Sequence, residues 1–566
     1  MRRWLAALED RTGAASLARR LLARPVPDGP RWRHALPAAL VAAVLVQAIT
    51  GVAMTFYYAP GATIAWESVL HLEERVVLGG LVRGLHAFGA GAVVVLLAAH
   101  LVSAGLSRAY RRPREAAWIS GLLLVPLALG FGLTGYLLPW DQKGYWATQV
   151  AVGIARATPL VGDVAGQVMQ GGGDLGTLTL TRFYAVHTLV LPLGLLVLGA
   201  VHVALVRRAA AARLAEGAVA APWWPGQAWR DGLVFAAVAL VVVVLAAARG
   251  AGLEAPADPA SDYSPRPEWY FAPLRQLLTV VPGPWGSLVL PGGVLLLLLA
   301  LPWLDHPDRP RPRLARAIVL GPPLAALALG VQAAVVDAGD REHQAARTRA
   351  EAEAALARRL ARDGVPPGGA AELLWAHPPL RGRRLFQTRC QGCHPLDGVG
   401  GEEAADLGPF LTDAWLEGVI RDPRDPRFFG RTELDTMPAL EREDWPKLPA
   451  LVAFLRAQDP ALAPKLDPAL VAAGEEAYFA LECHTCHAIT DADEGGALGG
   501  GAPSLQGYGT PEWLTAFLRD PGHERFYGDS NLMPAYGGEL DDDELAALVV
   551  FLRGRDPARA AATPDR

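Results

Sequence analysis

The sequence predicts an all-α protein: a multi-helix transmembrane bundle, built as four helices plus three further spanning helices, followed by two small all-α domains. Three observations predict it. The 566 residues are 52% hydrophobic and only 19% charged, too apolar for an ordinary soluble chain of this length. The long apolar runs fall almost entirely within the first 336 positions, each near the ~20 residues that a ~30 Å hydrocarbon core demands. The remainder is charged and Pro-rich, holds all four cysteines, and contains an internal repeat. A net charge of -5 offers no electrostatic footprint for nucleic acid.

Residues 1–34 form a leader with Arg2, Arg3, Arg11, Arg19, Arg20, Arg24, Arg31 and Arg33. Positions 2–24 read as a basic amphipathic helix on the membrane surface, or as a merely solvated leader. The apolar run that follows is longer than the core of a cleaved signal. Spanning helices are expected near 35–57, 79–106, 116–138 and 183–206, within a domain over 35–215, and near 232–249, 286–304 and 316–336, within a domain over 216–336. Connections on one side carry Arg108, Arg111, Arg112 and Arg114, then Arg207, Arg208, Arg213 and Arg230, then Arg309, Arg311, Arg313 and Arg316. Connections on the other side carry Glu67, Glu73 and Glu74, then Glu254, Asp258 and Asp262. The positive-inside rule therefore sets the N-terminus in the cytoplasm, and seven crossings put everything after 336 outside.

Four histidines organise this bundle. His86 and His100 stand 14 residues apart on one apolar run, His187 and His202 15 apart on another. At ~100° per residue these steps return to within about 40° and about 60° of one helix face, and they place the two members of each pair roughly 21 Å apart along the axis. Ionisable groups at bilayer depth are costly and usually functional. Two facing helices would pair these residues as two bis-imidazole sites, which suit non-covalent haem iron. His86 and His187 would lie near the outer face, His100 and His202 near the inner one. Gly51, Gly89 and Gly135 fall inside helices, where they either admit a flat macrocycle or serve close helix packing. Arg83 and Arg182 precede outer histidines and suit haem propionates, or are ordinary interfacial arginines.

Two outer stretches carry further chemistry. GYLLPWDQKGYWATQV at 135–150 follows directly on a spanning helix, and PEWY occupies 267–270. Glu268, flanked by Trp269 and Tyr270 at the membrane boundary, is placed to accept a proton from a hydrophobic substrate, although aromatics at this depth also form a plain interfacial belt.

Residues 337–379 read as a linker, an exposed helix over 340–362 ending in the breaker run GVPPGG. Two domains follow, at 380–458 and 465–558. CQGCH (Cys390, Cys393, His394) and CHTCH (Cys483, Cys486, His487) are each followed by an Arg-Asp-Pro stretch, a Met-Pro at Met437 and Met533, and an amphipathic helix. C-x-x-C-H attaches a c-type haem through two thioethers and supplies one axial imidazole; Met437 and Met533 are equivalently placed as sixth ligands. His484 and His523 are read as surface residues. Attachment of this kind occurs outside the cytoplasmic membrane of bacteria. The chain is therefore expected in the bacterial inner membrane with its C-terminal domains on the periplasmic side.

With GVAMTFYY, the four histidines, GYLLPWDQKGYWA, TRFYAVH and PEWY in view, the first 336 positions resemble cytochrome b of the cytochrome bc complexes. The nearest branch is the chloroplast type, cytochrome b6 with its three-helix partner subunit, here in one chain. The C-terminal part is similar to two tandem class I cytochrome c domains. The resemblance implies a low-potential haem on His86 and His187 and a high-potential one on His100 and His202. It implies quinol oxidation near Tyr136, Trp146, Glu268 and Tyr270, quinone reduction near Arg207, and a homodimer. One departure is Ala35, where that branch carries a cysteine tied to an additional haem. Two b-type and two c-type haems are thus expected.

What the resemblance implies is a quinol:cytochrome c oxidoreductase subunit that builds a proton gradient. All four cysteines are taken by the C-x-x-C-H motifs, so a Rieske iron–sulfur protein must come as a separate partner. The acceptor would be a cytochrome c or a terminal oxidase. The competing reading is a non-catalytic electron conduit anchoring another oxidoreductase, for which PEWY and GYLLPW have no use.

Overall fold

The structure, a computed structural model, describes residues 11–261, 263–432, 437–490 and 502–555. Arg2 and Arg3 of the expected leader helix, and Asp262, lie outside the described residues. The chain divides into two compact units, Met1–Leu373 and Leu374–Arg566.

In the first unit the described residues hold the end of a helix at 11–12 and, after a break at Gly13, a short helix α1 (Ala14–Leu22) of the leader. It leads into a strand, β1 (Pro25–Pro27), that pairs antiparallel with β2 (Ala220–Pro222). This pairing has no signature in the sequence, because strands of three residues have no periodicity to read. It is reinforced by Arg213, which donates to Asp28 at 2.8 Å.

Seven helices are long and apolar enough to cross a membrane. They are α2 (Ala35–Thr55), α4 (Gly79–Leu106), α5 (Glu115–Tyr136), α8 (Thr177–Ala215), α9 (Gly226–Arg249), α11 (Trp285–Leu304) and α12 (Pro312–Gly339). Helices α3 (Ala65–Glu74), α6 (Gln142–Arg156), α7 (Gly162–Gln170) and α10 (Ala272–Val280) lie in the connections. Aliphatic side chains such as Ile49 and Leu196, 69% and 70% exposed, face outward where a lipid phase would cover them.

Helix α2 packs along α4, and α5 along α8, while α9 packs on both α2 and α4. The three-helix part is joined to the four-helix part by buried polar contacts. Trp118 of α5 donates to the Leu298 carbonyl of α11 at 2.8 Å, and the fully buried Asp305 accepts from Tyr110 and forms an ion pair with Arg111, both at 2.7 Å.

Helix α13 (Arg341–Leu360) is the expected linker helix, but it is not simply exposed. Ala354 and Ala357 are buried, and Arg358 donates to the Leu253 carbonyl at 2.7 Å. Small residues on one face let it dock on the loop that precedes PEWY.

In the second unit the repeat is visible as α14 (Pro378–Leu385), α15 (Asp413–Arg421) and α16 (Leu448–Ala457) for the first copy, and α17 (Pro468–Ala480), α18 (Pro511–Arg519) and α19 (Asp542–Arg553) for the second. The copies do not close separately. Helix α14 crosses α19, and α17 crosses α16. At each crossing a glycine removes the side chain that would keep two helices apart. A Cβ on Gly382 would run into the Ala547 carbonyl and stand 2.7 Å from the Phe551 Cβ; one on Gly474 would run into the Ala450 carbonyl and stand 2.7 Å from the Phe454 Cβ. One turn further on, Phe386 meets Phe551 at 5.7 Å between ring centres and Tyr478 meets Phe454 at 5.3 Å. Residues of both copies share one hydrophobic cluster, including Phe386, Cys390, Trp415, Trp513, Leu548 and Phe551.

Candidate functional site

The four bundle histidines meet in pairs. The rings of His86 and His187 lie 6.3 Å apart, centre to centre. Two imidazoles sharing one metal at about 2 Å per bond require roughly this separation. At the other end His202 is the ionisable neighbour of His100.

The unequal spacings are reconciled by a π turn over Val186–Val190 in α8, which takes in His187. Such a turn inserts one extra residue into a helix. The 15-residue step of α8 therefore closes in phase like the 14-residue step of α4.

Three of the four rings, those of His86, His187 and His202, are each seated by a hydroxyl-glycine pair from the neighbouring helix. Nδ1 of His86 lies 2.9 Å from Thr50 Oγ1, that of His187 lies 3.0 Å from Thr134 Oγ1, and that of His202 lies 3.0 Å from Ser120 Oγ. These hydroxyls already donate to the carbonyls of Val46, Gly130 and Ala117, at 2.8, 2.8 and 3.0 Å. Their oxygens must then accept from Nδ1–H, which leaves Nε2 with a free lone pair for a metal. The next residue in each case is glycine, facing the same ring. A Cβ would stand 3.2 Å from His86 Cε1 at Gly51, 2.7 Å from His187 Cε1 at Gly135 and 3.1 Å from His202 Cε1 at Gly121. Thr50, Ser120, Thr134 and Gly121 escaped the sequence reading, although the recurring hydroxyl-glycine dipeptide was there to find. Gly89 behaves differently: it faces the Gln47 amide of α2, which is helix packing.

Arg83 and Arg182 have protein partners of their own. Arg83 pairs with Glu73 and donates to the Gly252 carbonyl at 2.7 Å; Arg182 donates to the Val168 carbonyl at 2.9 Å, closing the end of α7.

In the second unit, His394 Nδ1 donates to the Ala405 carbonyl and His487 Nδ1 to the Pro503 carbonyl, both at 2.8 Å. A carbonyl can only accept, so Nε2 is again the free nitrogen. Both imidazoles are poorly solvated, and burial lowers their affinity for a proton. None of the four cysteines is in a disulfide.

Beside the His86–His187 pair sits a polar cluster assembled from two loops. Asp141, the buried cap of α6, accepts from Gly144 N at 2.9 Å and from Glu254 N at 3.2 Å, and Gln142 N donates to the Ala255 carbonyl at 2.9 Å. This staples GYLLPWDQKGYW to the segment leading into PEWY. Lys143 Nζ thereby reaches Glu268 Oε1 at 2.7 Å and lies over the Tyr136 ring at 5.5 Å. Tyr270 lies against Gly132 of α5, where a Cβ would stand 3.2 Å from its hydroxyl, one turn before Gly135. Tyr136, Glu268 and Tyr270 are thus brought together, while Trp146 points its indole at Gln142 and Ser261, at 2.9 and 3.2 Å.

Lys143, Glu254 and Tyr263 of this cluster were given no role in the site from sequence. Burial opposes charge on Lys143, but the Glu268 carboxylate outweighs it and holds the ammonium pKa above its usual value. Burial, then the Asp141 carboxyl, push Glu254 up to about 7, and burial raises the Tyr263 phenol that is hydrogen-bonded to it. One Glu254 oxygen, Oε2, is buried without a partner. An acidic residue inside the apolar stretch AGLEAPA was the available signal.

At the opposite end of α4 an open cleft of about 670 Å³ is lined by Arg33, Ala98, Val102, Ser103, Ser107 and Pro323. Arg207 is exposed and is not part of it.

Seven apolar helices around opposed imidazoles with free Nε2 atoms, joined to a unit bearing two C-x-x-C-H motifs, define a membrane cytochrome. Comparison with known proteins agrees. Residues 24–210 match the family model "Cytochrome b/b6/petB", residues 256–326 "Cytochrome b(C-terminal)/b6/petD", and residues 469–552 "Cytochrome C oxidase, cbb3-type, subunit III". Cytochrome b6 of Prochlorococcus marinus (strain MIT 9211) is 38% identical over 200 residues, covering 35% of this chain and 92% of that one. Cytochrome b6 of Synechococcus elongatus is 37% identical over 200 residues, 35% of this chain and 93% of that one. The chain belongs to the cytochrome b/b6 family, with a cytochrome c region fused at its C-terminal side. A chain of a solved structure, "Hyperthermophilic respiratory Complex III", aligns over 62% of this chain and 98% of its own at TM-score 0.48 and 24% identity.

Proposed function

We propose that the chain is the quinol-oxidising b subunit of a cytochrome bc complex with a fused dihaem c unit, working with a separate Rieske iron–sulfur protein in the bacterial inner membrane. The observation that carries this reading is the seating of Tyr270 on Gly132, one turn from the glycine that faces His187. It supports the reading by bringing the segment that carries Glu268 against the helix whose next turn faces His187.

His86 with His187, and His100 with His202, would hold two b-type haems; Cys390, Cys393, His394 and Cys483, Cys486, His487 would attach two c-type haems. When bound, these groups supply one-electron chemistry, along the bundle for one electron of each quinol and onward from the Rieske partner to an acceptor for the other. Oxidising a quinol to a quinone releases two protons and two electrons. Glu268 accepts a proton from the quinol hydroxyl, with Lys143 as the countercharge that keeps the carboxylate available. Glu254, whose pKa stands near neutrality, is the onward acceptor, able to take and release a proton at working pH. Tyr136 and Tyr270 wall the site. Quinone reduction belongs in the Arg33 cleft rather than at Arg207, which does not line it.

The test is Glu268→Gln in the intact complex, reading quinol-dependent reduction of the c bands together with haem content. Loss of turnover at least tenfold with haems retained supports the reading; unchanged turnover with haems retained assigns the chain to a conduit instead.

A further inference from the structure

The crossings in the second unit decide more than packing. A methionine can serve the haem of a C-x-x-C-H motif only where the chain that carries it packs beside that motif. Here the helix preceding CQGCH, α14, packs on α19, which follows Met533; the helix preceding CHTCH, α17, packs on α16, which follows Met437.

The loops agree with the helices. Tyr536, three residues after Met533, donates its hydroxyl at 3.1 Å to the carbonyl of Arg389, the residue immediately before Cys390. Arg389 also faces Glu539 at 3.8 Å, and Arg381 of α14 faces Glu544 of α19 at 3.7 Å. Met533 packs against the cluster that contains the buried Cys390. In the first copy Leu440 is the counterpart of Tyr536. Its N–H donates to the Ile420 carbonyl at 3.3 Å, and Ile420 and Cys483 both pack against the cluster of Leu451, Phe454 and Tyr478, Ile420 bordering the Cys390 cluster as well. Local connectivity explains the arrangement: only residues 458–467 separate α16 from α17, so these two close first as an antiparallel pair and leave α14 and α19 for each other.

We propose that each haem pocket of this unit is built from both copies, so that the haem attached at Cys390 and Cys393 with His394 takes Met533 as its sixth ligand, and the haem attached at Cys483 and Cys486 with His487 takes Met437. This rests on the reading that both motifs attach haem.

The experiment uses the full chain with one attachment site removed at a time, reading covalent haem and the far-red sulfur-to-iron band of ferric, methionine-ligated haem. In Cys483→Ala/Cys486→Ala, where only CQGCH carries haem, adding Met533→Ala should abolish the band and adding Met437→Ala should leave it. In Cys390→Ala/Cys393→Ala the two methionines should exchange effects. Loss of the band with Met437→Ala in the first background overturns the proposal. Absence of covalent haem from the unsubstituted chain overturns the attachment reading, and the ligand assignment with it. The exchange itself has a haem-independent readout in the unsubstituted cysteine background. Hydrogen exchange in Gly382→Val should rise several-fold across 542–553 and stay unchanged across 448–457; a rise confined to 448–457 overturns it.

Discussion

Thr134 Oγ1 lies 3.0 Å from Nδ1 of His187 while donating its own proton to the Gly130 carbonyl at 2.8 Å, so a backbone carbonyl on α5 sets the tautomer of an imidazole on α8. Thr134→Val keeps the shape and removes the acceptor. Groups of this kind typically contribute about 10–100-fold to metal retention. The variant should lose b haem during purification to that extent at this site alone, measured by b-band absorbance per chain; full occupancy would show the hydroxyl to be dispensable.

The glycine seats should differ in tolerance. A Cβ at Gly135 would stand 2.7 Å from His187, closer than real Cβ contacts come, whereas one at Gly51 would stand 3.2 Å from His86. Gly135→Ala must move the π-turn histidine, and Gly51→Ala needs a shift of only a few tenths of an ångström. Redox titration should find the b haem of the first variant shifted or missing and that of the second near its unsubstituted potential. Equal effects would mean that the seats are not set by these contacts.

Glu254 should leave a signature in stability against pH. Its folded pKa is raised from 4.5 to about 7, by burial first and by Asp141 second. Between those values the folded state keeps a proton that the unfolded state gives up. The associated stability is therefore complete below 4.5 and is lost as pH rises through 7, on the order of 1–3 kcal/mol. Thermal midpoints in detergent should fall over this range, and Glu254→Gln should flatten the fall. An equally steep profile in the variant would assign the dependence to other groups.

Asp305 is the polar joint between the four-helix and three-helix parts. It is fully buried and receives Tyr110, Arg111 and the Arg311 N–H, the last at 2.6 Å. Asp305→Ala leaves the Arg111 guanidinium without its counterion, a change that costs about 3–5 kcal/mol in buried pairs. The variant should melt well below the parent, or appear proteolysed between α11 and α12; a midpoint within a degree or two would refute the joint.

The helices were legible because apolar length is a property of a single segment, and the proposed ligands rest on signals of the same kind, histidine spacing and C-x-x-C-H. The approach of His86 to His187 was also within reach, since 14 and 15 residues nearly close on one face, but the π turn that brings the longer step into phase has no sequence mark. What escaped were relations between segments. Lys143 and Glu268 are 125 positions apart and meet only because Asp141 caps one loop and accepts from the N–H of another. A repeat is naturally read as two closed copies, since similarity along the chain says what each helix is and not which partner it takes. The short connection between α16 and α17, residues 458–467, was the overlooked clue.

The crossing of α14 on α19 also imposes an order on synthesis. Gly382 finds its partner only after Ala547 has left the ribosome, so the first C-x-x-C-H motif emerges on a helix with nothing to pack against. If a prosthetic group is joined to Cys390 and Cys393, as proposed, the attaching enzyme would meet an open segment there, whereas α16 and α17 can close while the chain is still being made. A truncation that removes α19 would leave its mark first on the copy farthest from the cut.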